Sequence, residues 1–338
     1  MNYSINDITA ILAPGDSFKS TCIIEHIVID SRKVYFPETT LFFALNGSQQ
    51  DGHKFIAELF EKGIRNFVVS ETINTFQFPQ ANFIKVENTL EALQQLAAFH
   101  RKQFSYPVIG ITGSNGKTIV KEWIFQLLNN DYDIIRSPKS YNSQVGVPLS
   151  VWQMNKHYDL AIFEAGISQP GEMINLQKII NPSIGIFSFL GDAHAEGFEN
   201  RQQKIQEKLE LFINSEVLFY CADEKELDTS IFEFKKNINA DLQLFSWSRK
   251  KEAALTITNI FVLANGSKID CRYEQKDYHF FIPFTDEASI HNAITCMAVL
   301  FYFKVSERLI SERLQHLRPL EMRLELKQGI NNCSIIND

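Results

Sequence analysis

The stretch GITGSNGKT, residues 110–118, decides the fold of this chain. It follows the apolar run PVIGIT and precedes KTIVKEWIFQLLNN, in which apolar residues recur at helical spacing. A glycine-rich loop between a strand and a helix lets backbone N–H groups converge on phosphate oxygens, and the helix N-terminus adds a favourable dipole. This setting predicts a phosphate-binding loop at the start of an α/β nucleotide-binding domain.

The loop residues are predicted to bind Mg-ATP. Lys117 is placed to reach the β- and γ-phosphates, and the Thr118 hydroxyl to hold Mg²⁺. The residues expected to contact the nucleotide are Gly113, Ser114, Asn115, Gly116, Lys117 and Thr118. The strict pattern has glycine where this chain has Ile111. An ordinary glycine-rich turn is the alternative, which Gly-Lys-Thr in a strand–loop–helix setting disfavours.

Strand and helix patterns alternate on the C-terminal side of the loop. DLAIFEAG, SIGIFSFLG and EVLFYCA are typical of buried strands, and the helical patterns around them favour a mostly parallel sheet covered by helices. From about residue 255 the pattern changes to strands with an Asn265-Gly266 turn, which predicts an antiparallel β extension. Two helical patterns follow, IHNAITCMAVLFYF and SERLISERLQHL.

On the N-terminal side, residues 1–104 mix short strand and helix patterns, such as HIVIDSR, TTLFFAL and FIAELFEKGI. They predict a small mixed α/β domain that ends near Ser105–Pro107. Residues 105–338 would then form the nucleotide-binding domain. Two domains are also what a length of 338 residues suggests.

Composition excludes several classes of protein. The net charge is −7 without a basic block, which disfavours a nucleic-acid partner. The N-terminus lacks the basic start and apolar run of a secretory signal, and no apolar stretch is as long as a membrane span. The five cysteines are far apart, which indicates reduced thiols rather than a disulfide or zinc framework. We expect a cytoplasmic monomer without a membrane partner.

Three side chains downstream of the loop are candidates for metal binding. Glu164 ends the strand DLAIFEAG, and ligands bind at the carboxyl ends of parallel strands, so Glu164 could hold Mg²⁺. A strand-end glutamate that faces solvent is the alternative. His194 lies in the loop GDAHAEGF, and Lys208 flanks the inward face of the helix NRQQKIQEKLELF. Spacing alone favours a surface histidine and a lysine that extends to solvent.

Taken in order, these segments resemble the Mur ligase family: GITGSNGKT, YNSQVGVPL, FEAGISQPGEM, GDAHAEGF, QEKLELF, HNAITCMA and MRLE. The resemblance covers essentially the whole chain, because DSRKVYFPETTLFFALNGSQQDGHKF is similar to the UDP-binding domain of the family. AHAEGF with the downstream KLE is most similar to members that add D-alanyl-D-alanine to UDP-N-acetylmuramoyl-tripeptide. The resemblance implies an ATP-dependent carboxylate–amine ligase of peptidoglycan-precursor synthesis. Its fold would be a small UDP-substrate domain followed by a P-loop ATPase domain.

The resemblance also implies residue roles. Lys117 would bind the γ-phosphate, Thr118 and Glu164 one Mg²⁺, and His194 a second Mg²⁺ together with Lys208 carbamylated by CO₂. Further contacts are implied for His291 and Asn292 at the adenine, Arg323 at the phosphates, Asp338 near the ribose, Ser31 and Arg32 at the uridine, and Asn142 at the sugar-linked part.

The chain departs from the family pattern at several positions. Phe189 stands where an asparagine usually precedes the Gly-x-Ala-His segment, and the remaining departures are Asn142-Ser143, Thr295 and Pro37-Glu38. The family has a third, Rossmann-like domain that brings the amino substrate. This chain ends at Asp338, where that domain would begin, so we expect it to be inactive by itself.

Other functions remain open at this level. One is a Mur-type ligase that adds a different amino acid, and another is a folylpolyglutamate synthase, against which the UDP-domain segment argues. A non-catalytic nucleotide-binding module is a third. The combination of Glu164, His194 and Lys208 disfavours that module, because a simple switch needs no second metal site.

Overall fold

A computed structural model describes residues 3–47, 50–191, 197–320, 325–328 and 334–337. The chain divides into two compact units. The first comprises Met1–Ser105, Tyr141–His157 and Lys178–Ile180, and the second comprises Tyr106–Ser140, Tyr158–Gln177 and Asn181–Asp338. None of the helices in the described ranges is long and apolar enough to cross a lipid bilayer.

Short elements alternate in the first 105 residues. They are β1 (Tyr3–Ser4), α1 (Ile5–Leu12), β2 (Ile23–Ile24), β3 (His26–Val28), β4 (Thr40–Phe43), α2 (Ile56–Glu61), β5 (Asn66–Val69), β6 (Asn82–Lys85) and α3 (Thr89–Arg101). Strands β3, β4, β5 and β6 form a parallel sheet in that order, and β1 pairs antiparallel with β2. Short 3-10 helices occupy Pro37–Thr39, Gly52–Phe55 and Thr75–Gln77.

The following residues carry the longer βα alternation. Its elements are β7 (Val108–Thr112), α4 (Lys117–Leu128), β8 (Ile134–Arg136), α5 (Gly146–Val151), β9 (Leu160–Glu164), α6 (Glu172–Ile180), β10 (Ile184–Phe187), α7 (Arg201–Leu209) and β11 (Val217–Cys221). A 3-10 turn, Glu210–Phe212, extends α7. The remaining elements are α8 (Lys225–Asn237), β12 (Gln243–Ser248), β13 (Leu255–Leu263), β14 (Gly266–Tyr273), β15 (Lys276–Ile282), α9 (Glu287–Tyr302), α10 (Glu307–Gln315), β16 (Glu325–Gln328) and β17 (Ser334–Asn337).

The second unit contains a nine-stranded sheet in the order β15-β14-β13-β12-β11-β10-β7-β9-β8. Its strands run parallel from β8 to β13, and β13, β14 and β15 pair antiparallel. The predicted α/β fold with an antiparallel extension is therefore confirmed. Because β7 lies between β10 and β9, the segments that follow these three strands meet at one carboxyl edge of the sheet.

The segment Tyr141–His157 belongs to the first unit, although the predicted boundary near residue 105 placed it in the second. Leu149 and Trp152 of this segment pack on the core of the first unit. The Trp152 indole also donates a hydrogen bond to the carbonyl of Glu25 at 3.0 Å. Long-range packing of this kind leaves no mark on local composition, so the sequence pattern did not show it.

Candidate nucleotide and metal site

The loop between β7 and α4 is curled so tightly that two of its positions require glycine. Gly113 has φ 144° and Gly116 has φ 81°, both in the left-handed region. A Cβ at Gly113 would lie 2.1 Å from Ser188 Oγ, and one at Gly116 would lie 2.4 Å from Asn292 Oδ1. The loop therefore packs closely against the segment after β10 and against α9.

Lys117 points into this loop. Its ammonium donates hydrogen bonds to the carbonyls of Gly113, at 2.9 Å, and Ser114, at 3.1 Å. On the other side, the amides of Ser114 and Asn115 donate to the carbonyl of Phe189 at 2.7 and 3.4 Å. These hydrogen bonds involve only the backbone of Phe189, so the unusual side chain at that position does not alter them.

Two oxygen ligands suited to Mg²⁺ lie close together, one on the first turn of α4 and one at the end of β9. The Thr118 hydroxyl donates to Glu164 Oε2 at 3.1 Å. Glu164 ends β9 and is fully buried, so the alternative of a solvent-facing glutamate is excluded. Hydroxyl and carboxylate oxygens are hard ligands of the type that Mg²⁺ binds.

Lys121, which the sequence analysis did not select, is fully buried beside these oxygens. Its ammonium lies 2.9 Å from Glu164 Oε1 and 3.2 Å from Glu122 Oε1. A signal for it existed in the sequence, because residues three apart share a helix face and Lys121 is three residues after Thr118.

Lys208 is also buried at this edge of the sheet. Only 2% of the residue is exposed, and its ammonium donates to the carbonyl of Gly113 at 3.1 Å. Burial, reinforced by the nearby charges of Lys117 and Lys204, lowers the pKa of Lys208 to about 7. Spacing alone favoured a lysine that extends to solvent. Lys208 instead lies buried at the phosphate-binding loop.

His291 and Asn292 on α9 also lie beside the loop. Asn292 is 3% exposed, and its amide oxygen occupies the space that a Cβ at Gly116 would need. The His291 ring packs edge-on against Phe189 and Trp247, with centroids 5.2 and 4.6 Å away. Burial lowers the pKa of His291 to about 4, which leaves its imidazole neutral at pH 7. Their contact with adenine stays a prediction.

Three of the predicted site residues, His194, Arg323 and Asp338, lie outside the described residues. The second metal site and the contacts to the ribose and the phosphates that involve them stay predictions. Among the predicted ligands of that second site, the structure describes Lys208.

The predicted UDP-side residues lie in the first unit. Ser31 is buried, and its carbonyl accepts a hydrogen bond from Lys62 at 3.3 Å. Arg32 is exposed and pairs with Asp30 at 2.8 Å, and this hydrogen-bonded pair lowers the pKa of Asp30 to about 2. Asn142 is half-buried. The contacts of these three residues with the UDP substrate stay predictions.

A cavity of about 660 Å³ lies in the same unit. It is lined by Lys33 and Tyr141, which are the chain neighbours of Arg32 and Asn142, and by His26 and Phe36. The Lys33 ammonium lies 3.4 Å from the Tyr141 hydroxyl, and the His26 and Phe36 rings stack with centroids 4.9 Å apart. The sequence analysis selected Arg32 and Asn142, and it did not select the cavity-lining residues Lys33, Tyr141, His26 and Phe36.

A histidine–carboxylate cluster in the described part of the first unit, Asp51, His53 and Glu71, has metal-ligand chemistry. His53 Nδ1 lies 2.7 Å from Asp51 Oδ1, and Nε2 accepts a hydrogen bond from the Ser70 amide at 3.0 Å. Because both ring nitrogens already have protein partners, we interpret the cluster as structural.

Comparison with known proteins identifies the family. The Mur ligase middle domain matches residues 111–300, and the catalytic domain of the Mur ligase family matches residues 23–101. The UDP-N-acetylmuramoyl-tripeptide–D-alanyl-D-alanine ligase of Bacillus subtilis is 30% identical over 326 residues, which cover 94% of this chain and 67% of that protein. The enzyme of the same name from Buchnera aphidicola is 30% identical over 322 residues, which cover 94% of this chain and 68% of that protein.

Solved structures show the same fold. MurF from Acinetobacter baumannii aligns with a TM-score of 0.86 at 23% identity and covers 100% of this chain and 73% of that one. MurF from Thermotoga maritima in complex with ADP aligns with a TM-score of 0.78 at 21% identity, over 93% of this chain and 70% of that one. The family matches span most of the chain and include the phosphate-binding loop from Ile111 onward. The chain therefore belongs to the Mur ligase family.

Proposed function

We propose that this chain provides the ATP-binding and UDP-substrate-binding parts of a cytoplasmic ligase that adds D-alanyl-D-alanine to UDP-N-acetylmuramoyl-tripeptide. The observation that carries the proposal is the placement of Thr118 Oγ1 3.1 Å from Glu164 Oε2, directly behind a glycine loop that holds Lys117. The names of the Bacillus subtilis and Buchnera aphidicola relatives supply the identity of the two substrates.

In this reaction the terminal carboxylate of the UDP-linked peptide attacks the γ-phosphorus of ATP. The bond from that phosphorus to the β–γ bridging oxygen breaks, which gives an acyl phosphate and ADP. The amine of D-alanyl-D-alanine then attacks the acyl carbon, phosphate leaves, and the amine loses a proton. Because two negative reactants must meet, the protein mainly contributes positioning and charge neutralisation. Lys117 and the N-terminus of α4 provide positive charge at the loop.

Thr118 and Glu164 would hold one Mg²⁺, which when bound neutralises charge on the phosphates. Lys208 is proposed to contribute to a second site after it reacts with CO₂. With its pKa lowered to about 7, a large part of the amine is neutral at pH 7 to 8. The neutral amine forms an N–C bond to CO₂ as one C=O π bond of CO₂ opens, and it loses one proton, so a neutral amine becomes a carbamate anion; counted from the ammonium form, two protons are released. His194 is the other proposed ligand of that ion.

The cavity beside β3 is the proposed place for the UDP end of the substrate. Its volume of about 660 Å³ lies in the range of small-molecule sites. Lys33 can pair with a diphosphate, and the His26–Phe36 stack offers an aromatic face for a base. Ser31, Arg32 and Asn142 remain the residues implied by the family resemblance.

Calorimetric titration of the chain with UDP-N-acetylmuramoyl-tripeptide, with and without an ATP analogue, tests the proposal. We expect saturable binding of the UDP substrate and of Mg²⁺–nucleotide. UDP alone should compete with the tripeptide substrate, because the proposed cavity recognises the UDP end. No heat from either ligand at millimolar concentration would contradict the proposed function.

A further inference from the structure

Lys121 is a buried charged group to which the proposed reaction assigns no role. Its ammonium lies 2.9 Å from Glu164 Oε1 and 3.2 Å from Glu122 Oε1. It also donates hydrogen bonds to the carbonyls of Ser137, at 2.7 Å, and Lys139. An ammonium has three N–H groups, so the surrounding acceptors can use all of them. The side chain is therefore fixed at its charged end.

A charged pair at this place needs a reason other than stability. Lys121 and Glu164 are each fully buried, and an apolar pair of similar volume usually stabilises a protein as well or better. Helix α4 already buries Val120 and Ile124 on either side of Lys121, so an apolar residue would suit the position. The ion pair thus points to a requirement for Glu164 itself.

The geometry shows what Lys121 does to Glu164. Lys121 draws Oε1 to one side, and Oε2 consequently faces the Thr118 hydroxyl at 3.1 Å. The charge of Lys121 attracts Oε1 and the Thr118 hydroxyl donates to Oε2, and together these two contacts favour one orientation of the carboxylate. Partners that orient metal ligands in this way commonly change metal affinity when they are removed.

We propose that Lys121 is a positioning residue of the Mg²⁺ site: it holds the Glu164 carboxylate so that Oε2 and the Thr118 hydroxyl face the same ion. The inference rests on the proposed function, because it assumes that Thr118 and Glu164 hold the metal. It adds a residue that does not touch the ion, the nucleotide or the reacting atoms.

Lys121 also stabilises the turn after β8. Lys139 has φ 51°, a left-handed backbone that is unfavourable for a residue other than glycine, and its carbonyl accepts a hydrogen bond from Lys121. From this turn the chain continues directly to Tyr141 and Asn142. One ammonium therefore contacts both the proposed metal-binding carboxylate and two carbonyls of the turn after β8.

Mn²⁺ binding to the full 338-residue chain, followed by electron paramagnetic resonance with an ATP analogue present, tests the proposal. Lys121→Met should raise the Mn²⁺ dissociation constant about tenfold or more, whereas affinity for the analogue without metal should change less than about threefold. In a Glu164→Gln background the same substitution should have no further effect on Mn²⁺ affinity, because the carboxylate that Lys121 orients is gone. An independent structural lesion would instead weaken Mn²⁺ binding in both backgrounds.

Glu122→Gln is the matched control, because Glu122 forms ion pairs with Lys121 and Arg136 and is not one of the proposed metal ligands. It should leave Mn²⁺ affinity within about threefold of the unmodified chain. Equal loss in this control, or unchanged or tighter Mn²⁺ binding in Lys121→Met, would overturn the proposal.

If Lys121→Met does not fold, the double variant Lys121→Met/Glu164→Gln should fold, and its failure to do so would also count against the pairing. Absence of Mn²⁺ binding by the unmodified chain would refute the metal site itself and hence the proposed function.

Discussion

Lys121 and Lys208 are removed from water to a similar degree, yet their surroundings are opposite. Lys121 is fully buried beside the carboxylates of Glu122 and Glu164. Lys208 is 2% exposed, donates to the carbonyl of Gly113, and has another lysine, Lys117, among the charges that act on it. In the described part of the chain no carboxylate forms an ion pair with Lys208. The comparison shows that burial alone does not set the chemistry of a lysine. Neighbouring carboxylates favour its charged form, whereas neighbouring cations favour the neutral amine.

The most sensitive test of this comparison is the free energy of unfolding of Lys121→Met, measured by urea denaturation at pH 7. Removing one partner of a buried ion pair leaves an uncompensated charge on Glu164, so we expect a loss of about 3–5 kcal/mol. Lys225→Ala, at an exposed position of the same unit, is the control and should change stability little. A loss below about 1 kcal/mol would show that the pair is not coupled as the structure indicates.

Lys208→Met should raise the free energy of unfolding, whereas Lys121→Met should lower it. The folded-state pKa of Lys208 is about 7, against 10.5 for an ordinary lysine, so between these values the unfolded chain binds one more proton than the folded one. The contribution of Lys208 to the free energy of unfolding therefore rises with pH across that window, and it is lowest at or below pH 7. We expect the substitution to add about 2–4 kcal/mol at pH 7 in metal-free, degassed buffer.

The pH dependence distinguishes this cause from better packing. The gain should shrink as the pH rises from 7 to 10, by at most about 1.4 kcal/mol for each pH unit, because the unmodified lysine is then neutral in the folded state. A gain that is the same at pH 7 and pH 9 would assign the effect to packing of the methionine instead.

Lys117→Ala extends the comparison to a third lysine, which lies at the end of the phosphate-binding loop. Loss of a cation that pairs with phosphate should weaken binding of a fluorescent ATP analogue by about 1.5–3 kcal/mol. The same substitution removes one of the positive charges that lower the pKa of Lys208, so that pKa should rise. Equal affinities of the two proteins for the analogue would contradict the assignment of the phosphate-binding loop.

The smallest effect on stability is expected for an exposed cation, Arg32. The Arg32 side chain, which pairs with Asp30, is 85% exposed. Arg32→Ala should therefore change the free energy of unfolding by less than about 0.5 kcal/mol. Binding of UDP-N-acetylmuramoyl-tripeptide should nevertheless weaken in calorimetry if Arg32 contacts the substrate. Lys54→Ala, another exposed cation of the first unit, should alter neither quantity, and unchanged substrate affinity in Arg32→Ala would remove Arg32 from the site.

Much of the candidate site could be predicted because its signals are local. Gly113 to Thr118 and Glu164 were selected from a strand–loop–helix pattern and from the end of a buried strand, and the structure brings them together at one edge of the sheet. Lys208 was selected from the family resemblance, while its helical spacing indicated a solvated side chain. Spacing cannot tell a lysine that reaches solvent from one that is covered, because the covering residues come from distant parts of the chain.

The sequence by itself determined the order of strands and helices, the phosphate-binding loop and the family, since each depends on residues that are adjacent or periodic along the chain. Only the tertiary structure decided that Lys121 is enclosed by Glu122, Glu164 and the turn after β8, and that Tyr141–His157 packs with the first unit. It also decided the lowered pKa of Lys208. These properties depend on desolvation and on charges that folding brings within a few ångströms of each other, and neither quantity is defined until distant segments have packed together.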